Sequence, residues 1–131
     1  MASELRVNTL KDASGNNSIA TSFVAGGSAK CWINFNGTGT IAIRDSFSVT
    51  SHSDDGTGLY TINFTSAFGN DDYVGAGLSR NPGALSGGTA QFPSNADSDQ
   101  TTSSVQHFTI NTGGSNADFS HNHVIIHGDL A

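Results

Sequence analysis

Apolar and polar residues alternate in several short runs along this chain, and glycine-bearing turns separate the runs. In the first run, Cys31, Ile33 and Phe35 fall on one face of a predicted strand, while Trp32 and Asn34 fall on the other. Further runs of this kind lie at residues 41–49, 60–64, 73–78, 105–111 and 122–128. This spacing predicts an all-β domain, an antiparallel, jelly-roll-like β-sandwich of six to eight short strands.

The first three runs lie within residues 30–66 and are predicted to form a β-meander. Asn36-Gly37 is a strong hairpin signal, because both residues tolerate positive φ. In the second run, the pair Arg44-Asp45 interrupts the alternation. A bulge, an edge strand and an ion pair at a subunit contact are all compatible with that pair.

Residues 1–29 are predicted to form a short extended arm, and residues 30–131 the β-sandwich head domain. In the arm, Leu5 and Val7 alternate weakly, and a turn is expected at residues 14–17. Gly26-Gly27-Ser28 predicts a flexible joint. The arm has too few apolar residues for a core of its own, so it is expected to pack on another chain or on another copy of itself. The alternative is a frayed terminus.

Residues 80–103 predict a long surface loop that contains one short strand near residues 89–92. Long loops on a rigid β scaffold often carry recognition, which makes this loop a candidate contact surface. A loosely ordered connector is the alternative.

Charge and hydrophobicity exclude nucleic acid as a partner and insertion into a membrane. Five Lys and Arg against eleven Asp and Glu give a net charge of −6, so the basic surface that drives nucleic-acid binding is lacking. No apolar run approaches the length of a membrane helix, and we expect no membrane insertion. The first residues do not resemble a secretory signal. Cys31, the single cysteine, is expected to be a small buried apolar residue.

Chemistry-bearing residues are sparse. His121, His123 and His127 share one face of the last predicted strand, and imidazole is a common metal ligand. One chain alone makes a weak metal site, whereas His121 and His123 from three chains meeting on an axis could complete an octahedral shell. Polar or stacked histidines are the alternative. No catalytic motif stands out, so neither an enzyme nor a cofactor is predicted.

The central block resembles a small β-module of predicted tail-fibre and other virion structural proteins of aquatic bacteriophages, particularly those infecting cyanobacteria. The matching stretches are Ala29-Lys30, residues 32–40, 44–47, 56–58 and 60–64, and more weakly residues 124–129. The arm, in residues 3–17, is similar to the start of such proteins.

This resemblance implies a virion protein that is assembled in the cytoplasm of the host bacterium. Phage fibres are commonly homotrimers, so the implied function is a short fibre or spike-like homotrimeric surface protein. Its expected partners are copies of itself, other virion proteins through the arm, and host surface glycan. No shaft separates arm and module, so a capsid-decorating or cement protein that stabilises the phage head is the alternative. The family supplies no catalytic residues.

Overall fold

The structure is a computed structural model that describes residues 3, 5–81, 87–91 and 99–131. The described residues form strands and turns with one short helix, which confirms the all-β prediction. The elements are β1 (Thr9–Lys11), β2 (Ser18–Ala20), α1 (Thr21–Gly27), β3 (Cys31–Asn36), β4 (Ala42–Phe47), β5 (Val49–Gly56), β6 (Leu59–Phe64), β7 (Val74–Arg80), β8 (Gly87–Gln91), β9 (Ser104–Ile110) and β10 (His121–His127).

Strands β3 to β10 form one antiparallel sheet that folds back on itself. The sheet has eight strands in the order β4-β3-β10-β7-β8-β9-β6-β5. Strands β4 and β5 lie at opposite ends of this order, although only Ser48 separates them in the chain. The two ends of the sheet must therefore meet. We call β4-β3-β10-β7 the first layer and β8-β9-β6-β5 the second layer.

The core lies between the two layers. Phe35 of the first layer contacts Tyr60 and His52 of the second, with ring centroids 5.0 and 4.2 Å apart. The predicted inward set of β6, which includes Ile62 and Phe64, is buried, as are Val124 and Ile126 of β10. Cys31 is buried as well, as predicted. Each large apolar side chain removed from water contributes roughly 1.5–3 kcal/mol.

The predicted meander is wrong. Strands β3 and β4 form a hairpin in the first layer, whereas β5 and β6 form a hairpin in the second. The run 41–49 is therefore two strands, and the chain passes between the layers at Ser48, whose φ is 58°. The alternation of apolar and polar residues continues from residue 41 to residue 49. It therefore could not reveal that the chain passes from one layer to the other at Ser48.

A register shift in β4 explains why Phe47 points away from the core. Asn34 pairs with Asp45 but Phe35 pairs with Ile43, so Arg44 is the extra residue of a bulge. The bulge reverses which side chains face the core, and Phe47 is 55% exposed. Of the three alternatives for Arg44-Asp45, the bulge and the edge strand both apply.

The N-terminal segment contains more regular structure than an extended arm. Strands β1 and β2 form a two-stranded hairpin, and Asp12 closes its turn by accepting the backbone N–H of Asn16 at 2.9 Å. Helix α1 follows and includes Gly26 and Gly27, where a joint was predicted. Among the described residues, no helix is long and apolar enough to cross a membrane.

The predicted loop at residues 80–103 contains a strand, β8, close to the predicted position. It pairs with β7 on one side and β9 on the other. The remaining parts of that prediction at residues 82–86 and 92–98 lie outside the described residues.

Candidate binding surface

An apolar row crosses the outward side of the first layer. Phe47 pairs with Trp32, Trp32 with Ile125, and Ile125 with Ala76. Their neighbours along each strand point into the core, so these four side chains point outward. Four strands thus contribute apolar side chains to one outward surface.

This surface is exposed to solvent. Phe47 is 55% exposed, Val74 66%, Leu78 67% and Ile125 41%. We call the surface formed by Trp32, Phe47, Val74, Ala76, Leu78 and Ile125 the apolar face. A shallow groove of about 400 Å³ runs along it, lined by residues 76–78 of β7 and 123–125 of β10. Grooves with apolar walls are typical of binding surfaces.

The residues of β7 and β10 explain why apolar side chains point outward. In β7 the inward positions are Gly75, Gly77 and Ser79, so its larger side chains lie on the other side. In β10, residues 124–126 are three consecutive apolar residues, which places apolar side chains on both sides of the strand. Strands buried on both faces show such continuous runs. Strands β7 and β10 therefore carry apolar side chains on the outward side of the first layer.

The outward side of the second layer is polar and hydrogen-bonded. Asp55 accepts hydrogen bonds from Ser53 at 3.1 Å, from Gln106 at 2.9 Å and from Thr61. Asn63 Nδ2 donates to Ser51 Oγ at 3.0 Å. We call the surface formed by Ser51, Ser53, Asp55, Thr61, Asn63 and Gln106 the polar face. These side chains form hydrogen bonds with one another and can remain in contact with water.

The large, strongly exposed apolar side chains are distributed unevenly. Within the described part of residues 31–131 they belong to β4, β7 and β10, apart from Leu130 near the end of the chain. None belongs to β5, β6 or β9. Contiguous exposed apolar surface of this kind marks interaction sites in soluble proteins. The apolar face is thus the strongest candidate surface in the described structure.

The histidines predicted as metal ligands lie at one end of the first layer. His121 pairs with Arg80 of β7, and Ser120 beside it accepts a hydrogen bond from Arg44. Desolvation, followed by the charges of Arg44, Arg80 and His123, lowers the pKa of His121. These positive charges disfavour a metal cation on a single chain. Among the described residues, no three His, Cys, Asp or Glu side chains form a group that could hold a metal ion. The three-chain site remains a prediction.

Two other histidines, His52 and His107, lie at the core of the sandwich. His52 of β5 and His107 of β9 stack with centroids 6.3 Å apart, and both contact Phe35 and Tyr60. Burial lowers the pKa of His52 to about 4 and that of His107 to about 3. Both rings are therefore neutral at pH 7. The alternation of Val105, His107 and Thr109 was the available signal for an inward histidine.

A buried polar cluster joins the turns at one end of the sandwich. Tyr60 Oη donates to Asp118 Oδ1 at 2.9 Å and lies 3.2 Å from the carbonyl oxygen of Gly37. The backbone N–H of Gly58 donates to the same Asp118 oxygen at 2.6 Å. An added Cβ at Gly37 would lie 2.3 Å from Tyr60 Oη, so this position requires glycine. The cluster fixes the turns against the core.

Ser120 and His121 form a close contact at this end of the first layer, and no carboxylate among the described residues hydrogen-bonds to His121. Ser120 Oγ lies 3.1 Å from His121 Nδ1. A triad needs a carboxylate to orient the imidazole, whereas the residues that shift the pKa of His121 are Arg44, Arg80 and His123. In the described structure this contact orients the imidazole.

No protein-family model matches the chain, and no curated protein or solved structure matches it either.

Proposed function

We propose that the chain is a structural protein of a bacteriophage virion, a short fibre or spike-like homotrimer on the particle surface. The observation that carries the proposal is the uncovered apolar face. A sheet that is apolar on both sides gains stability when a second surface excludes water from its outward side, at about 25 cal/mol for each Å² buried. Another copy of the chain can supply that surface.

The N-terminal segment offers a complementary surface. Its apolar side chains are exposed as well, with Leu5 at 80% and Phe23 at 73%. No backbone hydrogen bond joins residues 5–29 to the sandwich among the described residues. The segment therefore has surface available for another chain, as the arm prediction requires.

Charge does not oppose contact between the arm of one copy and the sandwich of another. Residues 1–29 carry two basic and two acidic side chains, a net charge of zero. Residues 30–131 carry three basic side chains against nine aspartates, a net charge of −6. A neutral arm is not repelled by an acidic sandwich. A head-to-tail contact of this kind closes into a ring when three copies meet.

The first test is the mass of the purified protein in solution. Analytical ultracentrifugation at micromolar concentration should give three times the chain mass of 13.5 kDa. A strictly monomeric species would contradict the homotrimer.

The place on the particle and the role there need two further measurements. Antibodies against the chain should label the surface of virions in immunogold electron microscopy. Saturating purified protein should slow phage adsorption to host cells if the protein meets the host. Unchanged adsorption together with labelling of the head would favour the capsid-decorating alternative.

A further inference from the structure

The two arginines of the sandwich lie at the same corner of the first layer. Arg44 and Arg80 are the only Lys or Arg residues after Lys30. Arg80 is the cross-strand partner of His121, and Arg44 donates to the carbonyl of Ser120, directly before it. In a domain with nine aspartates, both cations thus flank a single imidazole.

Ser120 holds this corner in place. Its carbonyl accepts Arg44, its backbone N–H donates to Asn81 Oδ1 at 2.8 Å, and its hydroxyl lies 3.1 Å from His121 Nδ1. The contact at Nδ1 leaves Nε2 of the imidazole for another partner. One guanidinium nitrogen of Arg44 is used in the contact with Ser120, and a guanidinium has five N–H donors. The corner is therefore preorganised and keeps donors available.

In the described part of the chain, no carboxylate neutralises the cations of this corner. Neither Arg44 nor Arg80 forms an ion pair with a carboxylate among the described residues. The nearest acid along β4 is Asp45, which is exposed and accepts the backbone N–H of Ser46 at 2.9 Å. Guanidinium groups bind carboxylate and phosphate oxygens in a bidentate manner.

We propose that Arg44, His121 and Arg80 form a binding site for one anionic group, a carboxylate or phosphate, carried on a saccharide. The saccharide part of this inference rests on the proposed function, in which the protein meets host glycan. The anion site lies beside the apolar groove, which begins next to Arg80, at Leu78, and belongs to the surface assigned to contact between copies.

The overall charge limits the class of ligand. The net charge of −7 on residues 31–131 repels a densely charged polyanion such as nucleic acid. A polymer with one acidic group in each repeating unit suffers less repulsion, because one group alone occupies the corner. The site therefore favours sparsely charged saccharides.

The test is a titration of the ¹⁵N-labelled protein followed by NMR, which reports affinity, location and folding together. The probes are a hyaluronan tetrasaccharide, which bears one carboxylate in each disaccharide, the neutral chitotetraose, inorganic phosphate alone and a short DNA duplex. We expect the hyaluronan fragment to shift the side-chain signals of Arg44, Arg80 and His121 more strongly than the other probes. Bound anion should also raise the pKa of His121, because it stabilises the imidazolium.

Variants separate a specific site from general charge attraction. Arg44→Gln and Arg80→Gln should each weaken binding at least about tenfold, since each removes a charge-assisted hydrogen bond. Lys11→Gln is the matched control, because it removes one exposed charge in β1 and should leave the affinity unchanged. Equal loss in all three variants would overturn the proposal.

Other outcomes overturn it as well. If chitotetraose bound as tightly as the hyaluronan fragment, the anionic group would not determine binding. If inorganic phosphate bound as tightly or more tightly, the saccharide would not be part of the ligand. Preferred binding of DNA would overturn the ligand class. No shift at about 10 mM hyaluronan fragment or phosphate would remove the site. Immunogold labelling of virions is independent of every one of these results, so the proposed function and the anion site can fail separately.

Discussion

The two layers of the sandwich share a core but differ in what lies on their outward sides. The outward side of the first layer carries exposed apolar side chains next to an arginine–histidine corner, whereas the second is covered outside by side chains that hydrogen-bond one another around Asp55. Their inner sides differ too, because the second layer places His52 and His107 in the core. The second layer thus presents polar side chains to water, whereas the first exposes apolar side chains that a partner covers in the assembly we propose.

This difference also locates the two kinds of histidine. His107 is fully buried and lies with His52 under the polar face, while His121 and His123 lie on the outward side of the first layer. Buried imidazoles influence the stability of the fold, and outward ones are available to ligands. Most of the following changes affect the stability or the association of one layer and should leave the other layer unaltered.

The largest effect should come from acid acting on the second layer. The pKa of His52 is lowered by burial from 6.5 to about 4, although Asp54 and Asp55 oppose the change. Because the folded pKa lies below the unfolded one, the unfolded state binds protons first as pH falls. Stability is then complete above about pH 6.5 and decreases down to pH 4, by on the order of 2–3 kcal/mol from His52 alone. His107 adds a loss in the same direction, down to about pH 3.

Urea unfolding at pH 7, 5.5 and 4.5 measures this loss, and two variants assign it. His52→Gln should flatten the pH dependence, since it removes one titrating group from the core. His123→Gln, on an exposed residue of the first layer, should leave the dependence as it is. A wild-type stability that stays constant from pH 7 to 4.5 would contradict the buried, neutral state of these rings.

The next largest effect concerns self-association through the first layer. Phe47→Ser combined with Leu78→Ser should weaken association about 100-fold or more, because two exposed apolar side chains lose their buried area. The folded monomer should change little, since both residues are more than half exposed, at 55% and 67%. Sedimentation velocity over a range of concentrations measures the change.

The matched control for association lies on the polar face. Asn63→Ser combined with Gln106→Ser shortens two side chains of the second layer and should leave the association constant unchanged. If this pair weakened association as much as the first, the polar face would be part of the interface and the distinction between the layers would be lost.

The sequence predicts the inward side of the sandwich better than its topology. Alternation places Cys31, Ile33 and Phe35 on one face correctly, because burial on one side follows the period of a strand. It fails at β4, where one extra residue, Arg44, reverses the faces. The outward exposure of Phe47 therefore depends on a register shift whose local signal, the interruption at Arg44-Asp45, was equally compatible with an edge strand or an ion pair.

The candidate site was partly visible in the sequence. His121 and His123 stood out as histidines on one face of the last strand, and the structure places both on the outward side of β10. The contribution of Arg44 and Arg80 was hidden, because one residue comes from β4 and the other from β7. The corner forms because strands that are distant in sequence lie side by side in the sheet. This arrangement is visible only in the topology.

A smaller change in the free energy of unfolding is expected from a substitution on the polar face. Burial raises the pKa of Asp55, but the hydrogen bonds from Thr61, Gln106 and Ser53, with the charge of His52, outweigh it and lower the pKa overall. Asp55→Ala removes these bonds and should cost about 1 kcal/mol, because the side chain is exposed and water replaces part of the loss. The free energy of unfolding should fall by that amount while the association constant stays the same. Weaker association would contradict the assignment of partner contacts to the first layer.

The smallest effect is expected at the junction of the two layers. Ser48 has a φ of 58°, in the left-handed region, where a side chain costs roughly 1–2 kcal/mol. Ser48→Gly removes this strain but adds freedom to the unfolded chain, so stability should rise by no more than about 0.5 kcal/mol. Ser48→Val should instead cost about 1 kcal/mol, because a β-branched side chain tolerates positive φ poorly. Urea unfolding of both variants measures the order glycine, serine, valine; a reversed order would mean that the chain passes between the layers in another conformation.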